Sequence, residues 1–310
     1  DHTYTNSFHN LCTKECCYEY LFLKALYYEI NNLREIMHKG MHVAVVIPAR
    51  DEEEHIGYVL DTIPEFVDRV VVVDDGSKDN TAKLVKDADL IQLEGNGVGA
   101  AIDAGHQHLL KVMKNDFISV VMAGDGQMDP NDMEGLIEPI INGKAHHVKG
   151  ERLDRAGKMP IIRRFGTFLL SVLTTLACGQ NIRDSQCGYT ATSSIVLKSW
   201  NWDRSWKGYG YPNWWLMHLS EMGWRISHSP VQAIYEGQKS GIRLYSFLPK
   251  VSLMLLVGLH LRIIRNTLSK PTFPLALIWT TYILAWTYNP VMFVCAHIAD
   301  RVHVSAILEE

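Results

Sequence analysis

The stretch VAVVIPARDEEE (Val43–Glu54) is a short apolar run that ends in acids, and the chain repeats that pattern twice. Val70–Val73 leads into DDGSKDNT (Asp74–Thr81), and Ile118–Met122 leads into AGDGQMDP (Ala123–Pro130). Val/Ile-rich runs without alternation are expected of strands buried on both faces, the signature of a parallel α/β sheet. Ligands of such sheets bind beyond the carboxyl ends of the strands, where all three acidic clusters fall. Carboxylates gathered on one rim suit ribose hydroxyls, base N–H groups and a divalent metal that neutralises a diphosphate.

Helical stretches alternate with these strands. His55–Ile63, Asn80–Lys86 (with Asp79 or Asn80 as N-cap), Gly99–Met113 and Asp132–Ile141 complete one doubly wound domain without an internal repeat. Beyond Gly150 come a basic stretch with Arg152, Lys158, Arg163 and Arg164, then an apolar helix over Phe165–Ala177. A Gly-rich aromatic segment (Trp200–Trp215), a short helix (Leu216–Met222) and an edge strand (Val231–Tyr235) follow. In Phe247–Ile264 the charges crowd the C-terminal half, as expected of an amphipathic helix lying at a membrane surface.

Pro271–Ala299 contains no Asp, Glu, Lys or Arg and includes Trp279, Tyr282, Trp286 and Tyr288. It is long enough for a transmembrane helix, with Asn289-Pro290 as its end or kink. Lys250, Arg262, Arg265 and Lys270 precede this run and only Arg301 follows it closely, so the α/β domain is expected on the cytoplasmic side. The expected organisation is an extension of unassigned role (1–40), a catalytic domain (41–246), a juxtamembrane helix (247–270), a membrane segment (271–299) and a tail (300–310).

The chain has 310 residues, 47% of them hydrophobic and 21% charged, enough for a sizeable core and against global disorder. A formal charge of −4 gives no general footprint for nucleic acid. The six cysteines are scattered, with no secretory signal before them, and are expected to be reduced. Cys12, Cys16 and Cys17 with His2 and His9 lack the paired C-x-x-C units of a zinc site.

Among the acids, one of Asp51, Glu52 and Glu53 is expected to face inward while the others cap the next helix. Asp74-Asp75-Gly76-Ser77 reads as a turn at Gly76 and Ser77, but two adjacent acids at a buried strand's end ask for partners. Asp125 and Gln127 offer a charged and a neutral oxygen, on the same side if the segment is extended, and make the best candidate for Mg²⁺ or Mn²⁺.

Eight segments in order carry a resemblance: VVIPARDEEEHI, VVVDDGSKDNTA, GNGVGAAIDAG, VVMAGDGQMDP, KGERL, MPIIRRFGTFLLSVLT, IRDSQCGYTA and EGQKSGIR. Together they resemble the family 2 glycosyltransferases of GT-A fold, specifically the polyprenyl-phosphate hexosyltransferases that make dolichyl-phosphate mannose and glucose. The resemblance spans about Val43 to Arg265. It implies a nucleotide-diphosphate sugar donor, with Pro48, Ala49, Glu52 and Asp75 on the nucleoside and Gly97 and Gly99 close to the nucleotide. Asp125 and Gln127 would hold the metal. Many relatives carry a second acid where this chain has Ala123, so one carboxylate is expected here.

A lipid phosphate calls for cations, supplied by Arg152, Arg163, Arg164, Lys239 and Arg243. A phosphate monoester is already anionic at neutral pH and needs no base, so single displacement with inversion is expected. A hydroxyl acceptor would instead make Asp184 the general base. A nicotinamide-dependent oxidoreductase is disfavoured, because G-x-G-x-x-G should follow the first strand and acids stand there. A non-catalytic membrane scaffold would not need these acids and bases in one chain. Oligomeric state is open, a homo-oligomer included.

Overall fold

The computed structural model describes residues 38–152, 161–232, 234, 244–269, 273–288 and 298. Seven strands form one sheet in the order β3-β2-β1-β4-β6-β5-β7. They are β1 (His42–Ala49), β2 (Arg69–Asp74), β3 (Asp89–Gln92), β4 (Phe117–Val121), β5 (His147–Glu151), β6 (Thr190–Ser193) and β7 (Ile226–Pro230). Every neighbouring pair is parallel except those of β6, which runs antiparallel to β4 and β5. The strand order reverses between β1 and β4. That reversal opens the crevice in which α/β sheets take ligands.

The two faces of β1 show why its run is apolar throughout. Val43, Val45 and Ile47 pack under α1 (Ile56–Asp61) and α4 (Met133–Ile141). Ala44 and Val46 pack under α3 (Val98–Val112) on the opposite face, with Gly105 of that helix pressed on Val46. A Cβ at Gly105 would lie 2.4 Å from a Val46 methyl carbon. The small helix α2 (Thr81–Leu84) follows β2, its first N–H met by the Asp79 carboxylate at 2.9 Å.

A third apolar cluster joins α5 (Ile161–Cys178), α7 (Tyr211–Glu221), α8 (Leu244–Ser269) and α9 (Phe273–Tyr288), while α6 (Ser194–Ser199) lies against the sheet beside α3. α8 differs from the amphipathic surface helix expected. Val251, Met254, Leu255, Leu259 and Ile263 face the domain, yet Leu253, Leu256, Val257, Leu261 and Ile264 are exposed, so the helix is apolar all round. Two of its cations serve docking. Arg262 is buried and donates to the carbonyls of Ala177 (2.8 Å) and Leu176 (3.0 Å) at the end of α5, and Arg265 pairs with Glu221.

Among the described residues, Phe247–Arg265 is the one segment long and apolar enough, at 19 residues, to cross a membrane by length and composition. The expected membrane segment is represented by α9, 16 residues long, whose exposed side chains include Phe273, Leu277, Ile283 and Leu284. Residues 289–297 of that segment lie outside the described residues, as do residues 1–37 with Cys12, Cys16 and Cys17.

The edge strand expected at Val231–Tyr235 is displaced upstream. β7 occupies Ile226–Pro230, pairing with β5 from His147↔Ile226 to Glu151↔Pro230. Val231 lies past its end, buried in the core.

Candidate active site

All the acid-bearing loops share one rim. The carboxyl ends of β1, β2, β3, β4, β5 and β7 point the same way, and the loop before antiparallel β6 returns there. Asp75 and Asp125 are therefore on the same side of the sheet. The β4 loop lies directly on the β1 end, with Gly124 N donating to Pro48 O at 3.1 Å. Only a small residue fits, since a Cβ at Gly124 would stand 3.1 Å from that of Ala49.

Most of the acids are already engaged. Asp51 accepts from Lys78 N at 2.7 Å, and Glu53 accepts from Asn80 N at 3.0 Å. These two acids thus bind the turn after β2 instead of capping α1, whose first turn holds no acid. Asp74 accepts from the N–H and hydroxyl of Ser77. Asp75 is buried, and its two oxygens accept from Asn96 N (2.7 Å) and Gly97 N (2.8 Å).

The glycines beyond Asp75 make room for a second backbone segment. Gly99 N (2.9 Å) and Ala100 N (3.3 Å) donate to the Lys207 carbonyl, which caps α3 from outside. A Cβ would fall 2.6 Å from Lys207 O at Gly97 and 2.2 Å from Trp206 O at Gly99. Gly97, at φ 99°, also lies in the left-handed region. Gly97 and Gly99 thus admit the Trp206-Lys207 backbone, and their N–H groups are committed within the fold. Lys207 and Ser205 in turn hold Asp103 of α3 at 2.7 and 2.9 Å. Sequence reasoning passes over this clasp, whose only signal is the small residues of GNGVGAA.

Glu52 stands apart, with Asp125 as its charged neighbour. The Glu52 carboxyl is pushed up to about 7, first by burial and then by the Asp125 charge, with His55, 3.3 Å away, pulling it down. An acid whose proton affinity is raised by a neighbouring acid is one that a cation would relieve. One or two carboxylates plus a diphosphate is also the donor set that Mg²⁺ prefers. The residues fit such an ion. No cluster of three or more His, Cys, Asp or Glu suited to a metal occurs among the described residues, so the substrate would complete the shell. Asp125 and Gln127 do not lie on an extended segment, contrary to expectation. Gly126 has φ 72°, and Gln127 N folds back to donate to Asp125 at 3.0 Å.

On the other half of the rim, Arg152 follows β5 and Asp184 precedes β6. Arg152 donates through Nε (2.8 Å) and Nη2 (3.1 Å) to the two oxygens of Asp184. Asp184 is fully buried and also accepts from Gln186 N and Cys187 N, each at 3.1 Å. Burial works against its charge, but Arg152 and then Lys149 outweigh that and hold its proton affinity low. Beside this pair, Arg183 meets buried Glu151 at 3.2 Å, so residues 151–152 and 183–184 cross-link reciprocally. With β6 between them, the ends of β4 and β5 are two strand spacings apart, roughly 10 Å.

Arg164 is exposed on α5, next to exposed Phe165, Phe168, Leu169 and Val172. Arg163 lies in the same helix, its side chain outside the described residues, and Lys239 and Arg243 fall outside them altogether.

A mostly parallel sheet with helices on both faces and acids at the β1/β4 crevice defines a doubly wound α/β scaffold with its candidate site where the strand order reverses. The sequence profile of glycosyl transferase family 2 matches residues 44–204, more than half of the chain, and the protein belongs to that family of enzymes. It is 32% identical over 180 residues to a UDP-N-acetylglucosamine–dolichyl-phosphate N-acetylglucosaminyltransferase of Methanococcus voltae (50% of this chain, 71% of that one). It is 30% identical over 179 residues to a dolichyl-phosphate beta-glucosyltransferase of Trichomonas vaginalis (48% of this chain, 51% of that one). The fold matches glucosyl-3-phosphoglycerate synthase of Mycobacterium tuberculosis solved with Mn²⁺, UDP and phosphoglyceric acid. There the TM-score is 0.51 and identity 22%, over 72% of this chain and 78% of that one. The architecture is accordingly GT-A-like.

Proposed function

We propose that this enzyme transfers a hexose from a nucleotide-diphosphate sugar to a polyprenyl phosphate, dolichyl or undecaprenyl, at the cytoplasmic face of a membrane. The observation that carries the reading is the two-part rim: Glu52 and Asp125 at the β1/β4 crevice, and Arg152 at the end of β5, from which the chain continues into α5 with its exposed apolar residues. The names of the two dolichyl-phosphate relatives support the acceptor class.

In this reading Pro48, Ala49 and Glu52 receive the nucleoside, and Asp75 fixes the loop beside it. Asp125 and Gln127 hold Mg²⁺ or Mn²⁺. Once bound, the ion would offset charge on the departing nucleoside diphosphate. Arg152 and Arg164, with Arg163, Lys239 and Arg243, meet the acceptor phosphate. A cavity of about 390 Å³ between α7 and α8, lined by Trp206, Trp214, Leu253, Val257 and Leu261, suits an isoprenoid chain. It adjoins the donor loop through Trp206, whose carbonyl sits on Gly99.

The acceptor's second phosphate pKa is near 6, so the nucleophile arrives ionised and the protein's part is orientation and charge neutralisation. Transfer is a single in-line displacement with inversion. The reading with a hydroxyl acceptor needs Asp184 as base. Its carboxylate is fully buried, bound by Arg152 and two N–H groups, and held at low proton affinity, so it is out of reach of a substrate hydroxyl.

The test is the purified full chain in lipid nanodiscs with labelled UDP-glucose, UDP-N-acetylglucosamine and GDP-mannose, each offered undecaprenyl phosphate or undecaprenol. Label should enter an organic-soluble, mild-acid-labile product with the phosphate alone. Transfer to hydroxyl acceptors and none to the phosphate would overturn the proposal.

A further inference from the structure

The proposed reaction leaves one buried cation unused. Lys149 lies on β5 with 1% of its surface exposed, among the largest fully buried side chains of the protein. A buried ammonium is costly unless its charge and its donors are met. Its Nζ donates to the carbonyl of Cys187, at the far end of the loop 184–187. The same loop opens with Asp184, which grips Arg152, and Asp184 is a carboxylate whose charge favours the ammonium. The loop is also stitched to α5: Ser185 N donates to Ser171 Oγ at 3.0 Å, and Gln186 reaches Thr174 through Asn213 (2.9 and 2.7 Å). One short loop therefore sets the position of Arg152 and of the helix that carries Arg164, and Lys149 is the side chain that pins it from beneath.

We propose that Lys149 is the positioning residue of the acceptor-phosphate site: it holds the 184–187 loop by its Cys187 carbonyl and supplies the second positive charge that keeps Asp184 clamped on Arg152. This deepens the acceptor reading given above and rests on it. Loss of Lys149 leaves a buried carbonyl without its donor and Asp184 with one cation instead of two, so Arg152 loses its fixed direction while the β1/β4 rim is untouched. The effect belongs to the acceptor, and it acts through Arg152.

The groups facing Lys149 make its protonation separable from theirs. They are Asp184, Arg152 and Cys187 on the loop side, His228 on β7, His147 on its own strand, and His106 and Tyr211 from α3 and α7. Burial, with nearby cations at His147 and His228, moves all three histidines down, His228 to about 4 and His106 to about 3. It moves Cys187 and Tyr211 up, while Asp184 is held low. Burial brings Lys149 to about 8, so between neutrality and mild alkali it is the group of this set that changes charge.

The experiment compares wild type, Lys149→Met, Arg152→Gln and the double variant in nanodiscs with undecaprenyl phosphate. In Lys149→Met the KM for the acceptor should rise about tenfold or more with the donor KM unchanged, and in the Arg152→Gln background the same change should add less than about twofold. In wild type the acceptor KM should climb between about pH 7 and pH 9 with a flat donor KM, a measurement that stands even where Lys149→Met fails to fold. An unchanged acceptor KM in Lys149→Met, equal losses in both backgrounds, or a flat wild-type acceptor profile overturns the proposal alone. No transfer by wild type to any polyprenyl phosphate overturns the parent reading and this one with it.

Discussion

Asp75 separates two roles that sequence leaves merged. As a contact for nucleoside, its removal would weaken donor binding and spare the empty enzyme. In the structure Asp75 first holds a loop, since its carboxylate, 4% exposed, accepts from Asn96 N at 2.7 Å and Gly97 N at 2.8 Å. Hydrogen bonds to a charged group contribute about 1.5–3 kcal/mol each, and Asp75→Ala would remove two of them from a loop where Asn96 is exposed and Gly97 half-buried, a cost of about 2–4 kcal/mol once water replaces part of the loss. For a domain of this size about 1 kcal/mol shifts Tm by roughly 2–4 °C, which makes the expected drop about 10 °C. Asp75→Asn should fall between wild type and Ala, because its amide can accept one N–H but turns a donor toward the other. The assay is thermal unfolding in detergent without nucleotide, followed by UDP binding calorimetry on whatever remains folded at about 20 °C. A Tm within about 2 °C of wild type, with only UDP affinity lost, would refute the loop-pinning argument.

Asp125→Ala should keep the wild-type Tm and lose transfer by roughly 10²–10³-fold or more, with loss of the Mg²⁺- or Mn²⁺-dependent tightening of UDP binding as the second readout. Gly99→Ala should lower both Tm and UDP affinity, because its Cβ would press on Trp206 O at 2.2 Å and force the 206–207 backbone away. The buried histidines set an acid limit: His106 is held down to about 3 and His228 to about 4, chiefly by burial, below their unfolded value near 6.5. The unfolded chain then takes up protons first as pH falls through about 6.5, so stability should decline from there toward pH 4. Neither ring nitrogen of His106 has a hydrogen-bond partner among the described residues, and His106→Leu should raise the urea midpoint at about pH 5 and flatten its pH dependence.

The half of the sheet that sequence reading recovers and the half it misses differ in what their strands bury. β1, β2 and β4 place Val and Ile on both faces, so an apolar run marks each one. β3 is an edge strand of four residues, half of them exposed. β5 and β6 are buried along most of their length, but with His147, Lys149, Glu151, Thr190 and Thr192 as their content. These polar groups are tolerable because they are met: His147 by Thr192 at 2.9 Å, Lys149 by the Cys187 carbonyl, Glu151 by Arg183. A hydropathy scan sees only the residue type and misses strands whose partners are supplied from distant positions. The β7 error has the same source, since ISHSP looks like loop and the apolar Val231 beyond it looks like strand.

The site repeats this lesson with charge. In sequence, Asp51, Glu52, Glu53, Asp74, Asp75 and Asp125 are equivalent acids at strand ends whose common rim follows from the parallel pattern alone, while Asp184 lies on the loop before antiparallel β6, a strand that sequence reading misses. What sequence cannot sort is which of them already receive protein N–H groups. Asp51 and Glu53 face the turn after β2, Asp74 its own turn, Asp75 the glycine loop, and Asp184 the guanidinium of Arg152. Glu52 differs: it is the rim acid whose proton affinity is driven up, by burial and by Asp125 across the crevice. A fold that directs protein N–H groups to the other six of these acids, Asp125 through Gln127 N included, and sets Glu52 against the Asp125 charge with His55 beside it has kept negative charge in reserve where the strand order reverses. That reserve is what a cation and a diphosphate would satisfy, and it is why the proposed donor site is put at the β1/β4 crevice and at neither of the other acid clusters.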